Sequence, residues 1–298
     1  RRFPVISLPN RSALLLIVFC LFFSIHQPAV SVNDQTSSTG DSLYQPDVGQ
    51  SGKDVIWVPT NDDLVKMMLN IANVKPTDVV YDLGAGDGKI AIAAARDYGA
   101  RAVGIEYNPD MAALAQRNAE RSGVADKVKI INGDIFVEDF SEATVVTLYL
   151  LPNLNLQLRP TLLDMKPGTR VVSNSFTMGD WEPDHRIGSN YTIGYFWVVP
   201  AKVGGTWQLR GQGLRDAELV LDQKFQNIGG TLIINGQSQP VLSPKLSGDN
   251  LSFRFLNEVG KHRLVETKVA GDRMVGQVSE TDPIGQVVGQ RIKPAAQK

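Results

Sequence analysis

The ten residues Val79–Gly88, VVYDLGAGDG, constrain the fold of this chain more than any other stretch. Val79–Leu83 is a short apolar run broken only by Asp82, and it leads directly into a turn built on Gly84, Gly86 and Gly88. A helical pattern follows at once, Lys89-Ile90-Ala91-Ile92-Ala93-Ala94-Ala95. Strand, glycine turn and helix in that order open a nucleotide-binding α/β unit. Glycine in the turn admits torsions and close approaches that a β-carbon forbids. The helix behind it presents free N–H groups and a positive dipole end.

The same alternation continues downstream. A helix is expected from Thr60 or Asn61, with Asp62 and Asp63 in its first turn and Leu64, Met67, Met68 and Ile71 on one face. Helix 89–98 precedes strand 102–106, Pro109 opens a helix through Glu120, and Val128–Ile131 is a third strand. Ala143–Leu151 reads as a fourth strand, Leu154–Met165 as a helix interrupted near Pro160, and Thr169–Ser175 as a fifth strand. Such repetition builds an α/β doubly wound parallel sheet, which binds ligands at the carboxyl ends of its strands. Gly84, Glu106, Asp134 and Tyr149 all fall at such ends, so four segments converge on one cleft.

The turn itself is Gly84-Ala85-Gly86-Asp87-Gly88, one residue shorter than a dinucleotide turn, with Asp82 two places before it. This pattern resembles the first motif of the class I, Rossmann-like S-adenosylmethionine (SAM) methyltransferases. Residues 55–184 resemble more narrowly the non-SET protein-lysine methyltransferases, which include the mitochondrial enzymes acting on the ATP synthase c subunit and the adenine nucleotide translocase. The segments that carry the likeness are Trp57-Val58-Pro59-Thr60, YDLGAGDGKI, VGIEYNP, GDIF, VVTLYLLPNLNLQLRP and KPGTRVVSNSF followed by Trp181. Asn61 departs from it, standing where a second proline is common.

The resemblance implies a cofactor, SAM, held by Asp82, Gly84, Gly86, Gly88, Glu106 and Asp134. Glu106 would accept the ribose hydroxyls and Asp134 the adenine amino group. It places the acceptor at Tyr149, Pro152 and Asn153, with Tyr149 orienting a lysine ε-amine; the competing reading makes Tyr149 a packing residue. The implied partner is a protein with an accessible lysine. A methyltransferase acting on a small molecule or lipid is the alternative, and a scaffold retaining an inactive cofactor fold is a third.

From about Gly204 helical periodicity gives way to short alternating runs separated by Asn-Gly and Gly-Asp turns. They predict a C-terminal antiparallel meander or small barrel of six to eight strands over 204–298. The methyltransferase-like domain would span 54–203, after a flexible Ser/Thr/Gly/Asp/Gln-rich linker at 33–53.

Residues 1–32 read as an export signal or an N-terminal anchor: Arg1, Arg2 and Arg11, then the apolar run from Ala13, then Ala29-Val30-Ser31. This makes an exported or membrane-associated enzyme the expectation, against the fact that SAM is made in the cytosol. The only cysteine, Cys20, lies in that segment, so the mature chain would have no disulfide, catalytic thiol or cysteine-built zinc site. A net charge of −1 gives no footprint for nucleic acid.

Overall fold

The computed structural model describes residues 40–54, 56–189, 192–279 and 284–295. The expected signal or anchor lies outside them. Two sheets organise the chain. The first holds β1 (Val79–Leu83), β2 (Arg101–Glu106), β3 (Val128–Asn132), β4 (Val145–Leu148), β5 (Arg170–Asn174), β6 (His185–Ser189) and β7 (Thr192–Val198). Their order is β3-β2-β1-β4-β5-β7-β6. β1 through β5 are parallel, and β7 enters antiparallel between β5 and β6. Because β1 lies between β2 and β4, the connections leaving β1 and β4 turn to opposite faces and open a crevice above the strand ends.

Helices cover both faces. α1 (Asp62–Ile71) starts at Asn61, whose side chain accepts from the Asp63 N–H, and buries Leu64, Val65, Met68 and Leu69. α2 (Lys89–Tyr98) is almost wholly buried from Ile90 to Ala95 and ends at the left-handed Gly99. α3 (Pro109–Arg121) is capped by Asn108, which accepts from Asp110 and Met111. α4 (Pro152–Asp164) begins earlier than its periodicity predicts, with Pro152 in its first turn. It runs unbroken through Pro160, which is exposed, so the carbonyl that loses its N–H partner has water to bond instead. Leu83, Ile105, Leu148, Leu158 and Leu162 pack with Trp181 and Trp197 in one core layer; Leu64, Met68, Val80, Ile90 and Ala94 build the opposite one.

The second sheet is antiparallel and nearly closed, with nine strands where six to eight were expected. They are β8 (Gly205–Gly211), β9 (Ala217–Lys224), β10 (Asn227–Ile234), β11 (Gln237–Pro240), β12 (Leu242–Ser247), β13 (Asn250–Leu256), β14 (His262–Ala270), β15 (Arg273–Ser279) and β16 (Gly285–Pro294). β16 returns to pair with β8, and the Val241 N–H reaches the Gly230 carbonyl across the remaining gap. Alternate residues point inward and fill the barrel, among them Trp207, Leu219, Phe253, Phe255, Met274 and Val287. β11 and β12 carry Pro240 and Pro244. They are the two ends of the strand order, where a missing ladder donor is tolerated.

The segment expected to be a flexible linker is, in its described part, a strap laid over the first sheet. Asp41 is gripped by Arg117 Nε at 2.6 Å and Arg121 at 2.9 Å, both on α3. Arg117 holds the Asp41 carboxyl well below the usual carboxylate range. Farther along, the Trp57 N–H donates to the Gln50 carbonyl at 2.9 Å, and Lys53 Nζ meets Asp134 at 2.7 Å. The composition is that of a loop; the order comes from ion pairs to residues more than seventy positions away, which no local pattern reveals.

Candidate active site

A cavity opens above the carboxyl ends of β1, β2 and β4, with the strap along its rim. Its floor is the glycine turn. Gly84 (φ 83°) and Gly86 (φ 55°) are left-handed, and the Gly84 and Ala85 N–H groups both donate to the Ile105 carbonyl at 2.9 Å. A β-carbon on Gly86 would stand 2.6 Å from Trp57 Nε1. The turn is therefore closed off on the strap side by an indole that only glycine leaves room for.

Glu106 ends β2 and pins two pieces of backbone. Its Oε2 accepts from Gly86 N at 2.9 Å and its Oε1 from Asn108 N at 2.9 Å. Each oxygen retains a second acceptor position. Asp82 is buried, and Thr147 Oγ1 on β4 donates to its Oδ1 at 2.7 Å. Burial pushes the Asp82 carboxyl up to about 7; the Thr147 hydroxyl opposes this, and the charges of Asp87 and Glu106 add to it. Burial also raises Asp87, with Lys89 opposing. Three carboxyl groups around one turn favour a cationic guest.

Asp134 follows β3. It accepts from Phe136 N at 3.0 Å, and the Lys53 ion pair holds it below its ordinary value. Lys53 Nζ also stands 4.9 Å from the centre of the Tyr107 ring. Asn132 fixes this corner by donating to the Glu106 and Tyr107 carbonyls at 3.0 and 2.8 Å.

The other end of the cavity is apolar and aromatic. Tyr149 stacks on Phe176 with ring centres 6.3 Å apart, beside Leu150, Leu151, Leu154, Val58 and Pro59. The loop that carries Phe176 is tightly held. Asn174 Nδ2 donates to Thr60 Oγ1 at 3.3 Å, Ser175 Oγ donates to Asn174 Oδ1 at 2.7 Å, and Ser175 is left-handed at φ 64°.

Asp82, Gly84, Gly86, Glu106, Asp134 and Tyr149 thus share one cavity, as the strand-end argument requires. Gly88, Pro152 and Asn153 do not line it. Gly88 (φ 82°) opens α2, and a β-carbon there would lie 3.0 Å from Ala115 Cβ, so its glycine serves the contact between α2 and α3. Pro152 and Asn153 are exposed in the first turn of α4.

Trp57, Thr147, Phe176 and Asn155 lie in the segments that carry the family likeness, but the sequence assigned none of them a site role. Asn155 is fully buried; its amide nitrogen lies 3.3 Å from each of Ser173 Oγ, the Phe176 carbonyl and the Thr177 carbonyl. Its Oδ1 is buried without a hydrogen-bond partner among the described residues. The signal was present in the period: Leu151, Asn155, Leu158 and Leu162 follow helical spacing, which puts a polar residue on an apolar face.

Residues 82–185 match the family model described as the ANTKMT methyltransferase domain. A protein-lysine N-methyltransferase of Saccharolobus islandicus is 45% identical over 152 residues, covering 49% of this chain and 94% of that protein. The adenine nucleotide translocase lysine N-methyltransferase of Mus musculus is 32% identical, over 45% of this chain and 58% of its own length. A crystal structure described as an RNA methyltransferase from Salinibacter ruber in complex with S-adenosyl-L-homocysteine is 52% identical. It covers 49% of this chain and 96% of that one, with a TM-score of 0.48.

Proposed function

The chain belongs to the SAM-dependent protein-lysine methyltransferases, and from that premise we propose that it methylates the ε-amine of a lysine in a protein substrate through the cavity above β1, β2 and β4. The observation that carries the reading is the division of that cavity. Carboxyl groups gather at the β1–β3 side, and an aromatic, apolar wall stands at the β4–β5 side.

SAM suits the donor set. Glu106 has free acceptor positions for paired hydroxyls, Asp134 has an acceptor for an amino group, and Asp82 with Asp87 favours a positive charge. Gly84 and Gly86 present no side chain to obstruct an approaching ligand. When bound, SAM supplies a methyl group activated by its sulfonium. The protein's own tasks are orientation and exclusion of water. An apolar wall penalises a charged ammonium, so the acceptor loses its proton to solvent before it reacts. The Tyr149 hydroxyl, which has no hydrogen-bond partner among the described residues, is assigned to orienting the amine. Pro152 and Asn153 are assigned to the rim that residues flanking the lysine cross.

Tyr149→Phe should slow single-turnover methyl transfer by about ten- to a hundredfold, the usual cost of one orienting hydrogen bond. The SAM dissociation constant should stay within about twofold, because the lost hydroxyl acts on the acceptor. A full-speed Tyr149→Phe enzyme would return Tyr149 to a packing role.

The reading as a whole is tested by incubating the protein with methyl-labelled SAM and a cell extract, then separating protein, RNA and lipid. Label in protein is expected. Label confined to RNA, or to the organic phase as the small-molecule alternative requires, would overturn it. We also propose that residues 1–32 export the enzyme or tether it to a membrane, where its substrate would lie. Fractionating cells that express the chain with and without those residues tests this; an unchanged distribution would contradict it.

A further inference from the structure

The family model ends at residue 185, before the nine-stranded barrel begins. The barrel's core is filled by its own side chains, so a ligand site inside it finds no support. Its contact with the first sheet is informative. The turn between β9 and β10, Phe225-Gln226, is pressed onto the loop between β5 and β6. Phe225 stacks on Trp181 with centres 6.1 Å apart. Gln226 Oε1 accepts from Trp181 Nε1 at 3.0 Å, and its Nε2 donates to the Glu182 carbonyl at 2.7 Å. Beside it Lys224 pairs with Asp180 at 3.1 Å.

The same loop is also held by α4, which meets the barrel turn there. Arg159 donates to the Met178 carbonyl at 2.8 Å and to Asp180 at 2.6 Å, and its guanidinium lies 5.5 Å from the Phe225 ring centre. Asn155, one turn earlier, holds the Phe176 and Thr177 carbonyls. Phe225 adopts φ 54°, a left-handed conformation that is unfavourable for a bulky side chain. Asparagine or glycine would make this turn more cheaply. What the phenylalanine adds is the ring against Trp181.

We infer that the C-terminal barrel braces the acceptor wall. Phe225 and Gln226 are positioning residues that fix the 177–184 loop and, through it, Phe176 beside Tyr149. The inference rests on the acceptor site proposed above. It gives the appended barrel a part in presenting the substrate lysine and none in holding the cofactor.

The test uses the full chain with Phe225→Asn, which suits φ 54° but removes the ring, and Gln226→Ala. Asn235→Ala is the control: it alters the β10–β11 turn, where Asn235 bonds Glu258 and not the loop. Label transfer from SAM is followed against increasing concentrations of a bacterial protein extract freed of small molecules. SAM affinity is measured by calorimetry, and amide exchange over residues 174–184 by mass spectrometry. The first two variants should lower the acceptor kcat/KM by about ten- to a hundredfold, the scale of a misplaced reacting group. SAM affinity should hold within about twofold, exchange over 174–184 should rise, and the control should match wild type. Wild-type exchange in that loop would overturn the brace whatever the acceptor. So would wild-type kinetics, or SAM affinity falling in step with rate. A wild-type enzyme that labels no protein would instead remove the lysine reading, and the exchange data would still decide the brace.

Discussion

Gly86→Arg is expected to weaken SAM binding at least about a thousandfold, or roughly 4 kcal/mol, in a protein that remains folded. The residue is left-handed at φ 55°, its N–H is bonded to Glu106, and any β-carbon strikes Trp57 Nε1 at 2.6 Å. A substituent must therefore displace the strap's indole or enter the cavity, and an arginine is long enough to fill the space above the turn. The cost to the fold is local. Backbone strain at one such position is about 1–3 kcal/mol, and the residues of both core layers lie outside the turn. Calorimetric titration alongside a thermal melt separates the two effects. Wild-type affinity in a folded variant would remove the turn from the cofactor site.

Asp82→Asn should do two opposite things. Burial raises the carboxyl to about 7 in the folded chain, against about 3.9 in an unfolded one. The folded state thus holds this proton more tightly. The stability Asp82 contributes is fully present below about pH 4, declines as pH rises, and is lost on passing about 7. Three units at about 1.36 kcal/mol each set the loss at up to about 4 kcal/mol. Asparagine keeps an acceptor for Thr147 Oγ1 and never ionises. Without SAM, the variant should match wild type near pH 4, gain on it between about pH 4 and 7, and melt well above it at pH 8. It should also bind SAM far more weakly, because the buried anion that destabilises the empty fold is the charge assigned to the cationic cofactor. Melting curves at three pH values with matched titrations check both. Equal melting temperatures at pH 8 would contradict the burial argument, and unchanged affinity would contradict the role.

Much of the sheet was legible because its signals are local. β1, the glycine turn and α2 are contiguous, and each strand end carries a distinctive residue: Gly84, Glu106, Asp134, Tyr149. What escaped was set by distant partners. The strap's residues look like linker until Asp41 meets Arg117 and Arg121. Gly88 looks like part of the ligand turn until α3 places Ala115 against it. In the Leu-Pro-Asn-Leu-Asn run the first asparagine stands out for its place beside the proline. Helical phase buries the second, Asn155, behind the acceptor wall. β16 is hard to see because Gly285 and Gly289, packed against Gln212 and Met274, dilute its alternation.

The central claim, transfer of a methyl group to lysine, is tested most directly by finding which atom receives it. Protein labelled with methyl-labelled SAM is hydrolysed completely, and the labelled amino acid is identified by chromatography and mass spectrometry. The account predicts label in Nε-methylated lysine, absent when Gly86→Arg replaces the wild-type enzyme. Label in methylated arginine, histidine or glutamine, with none in lysine, would contradict it.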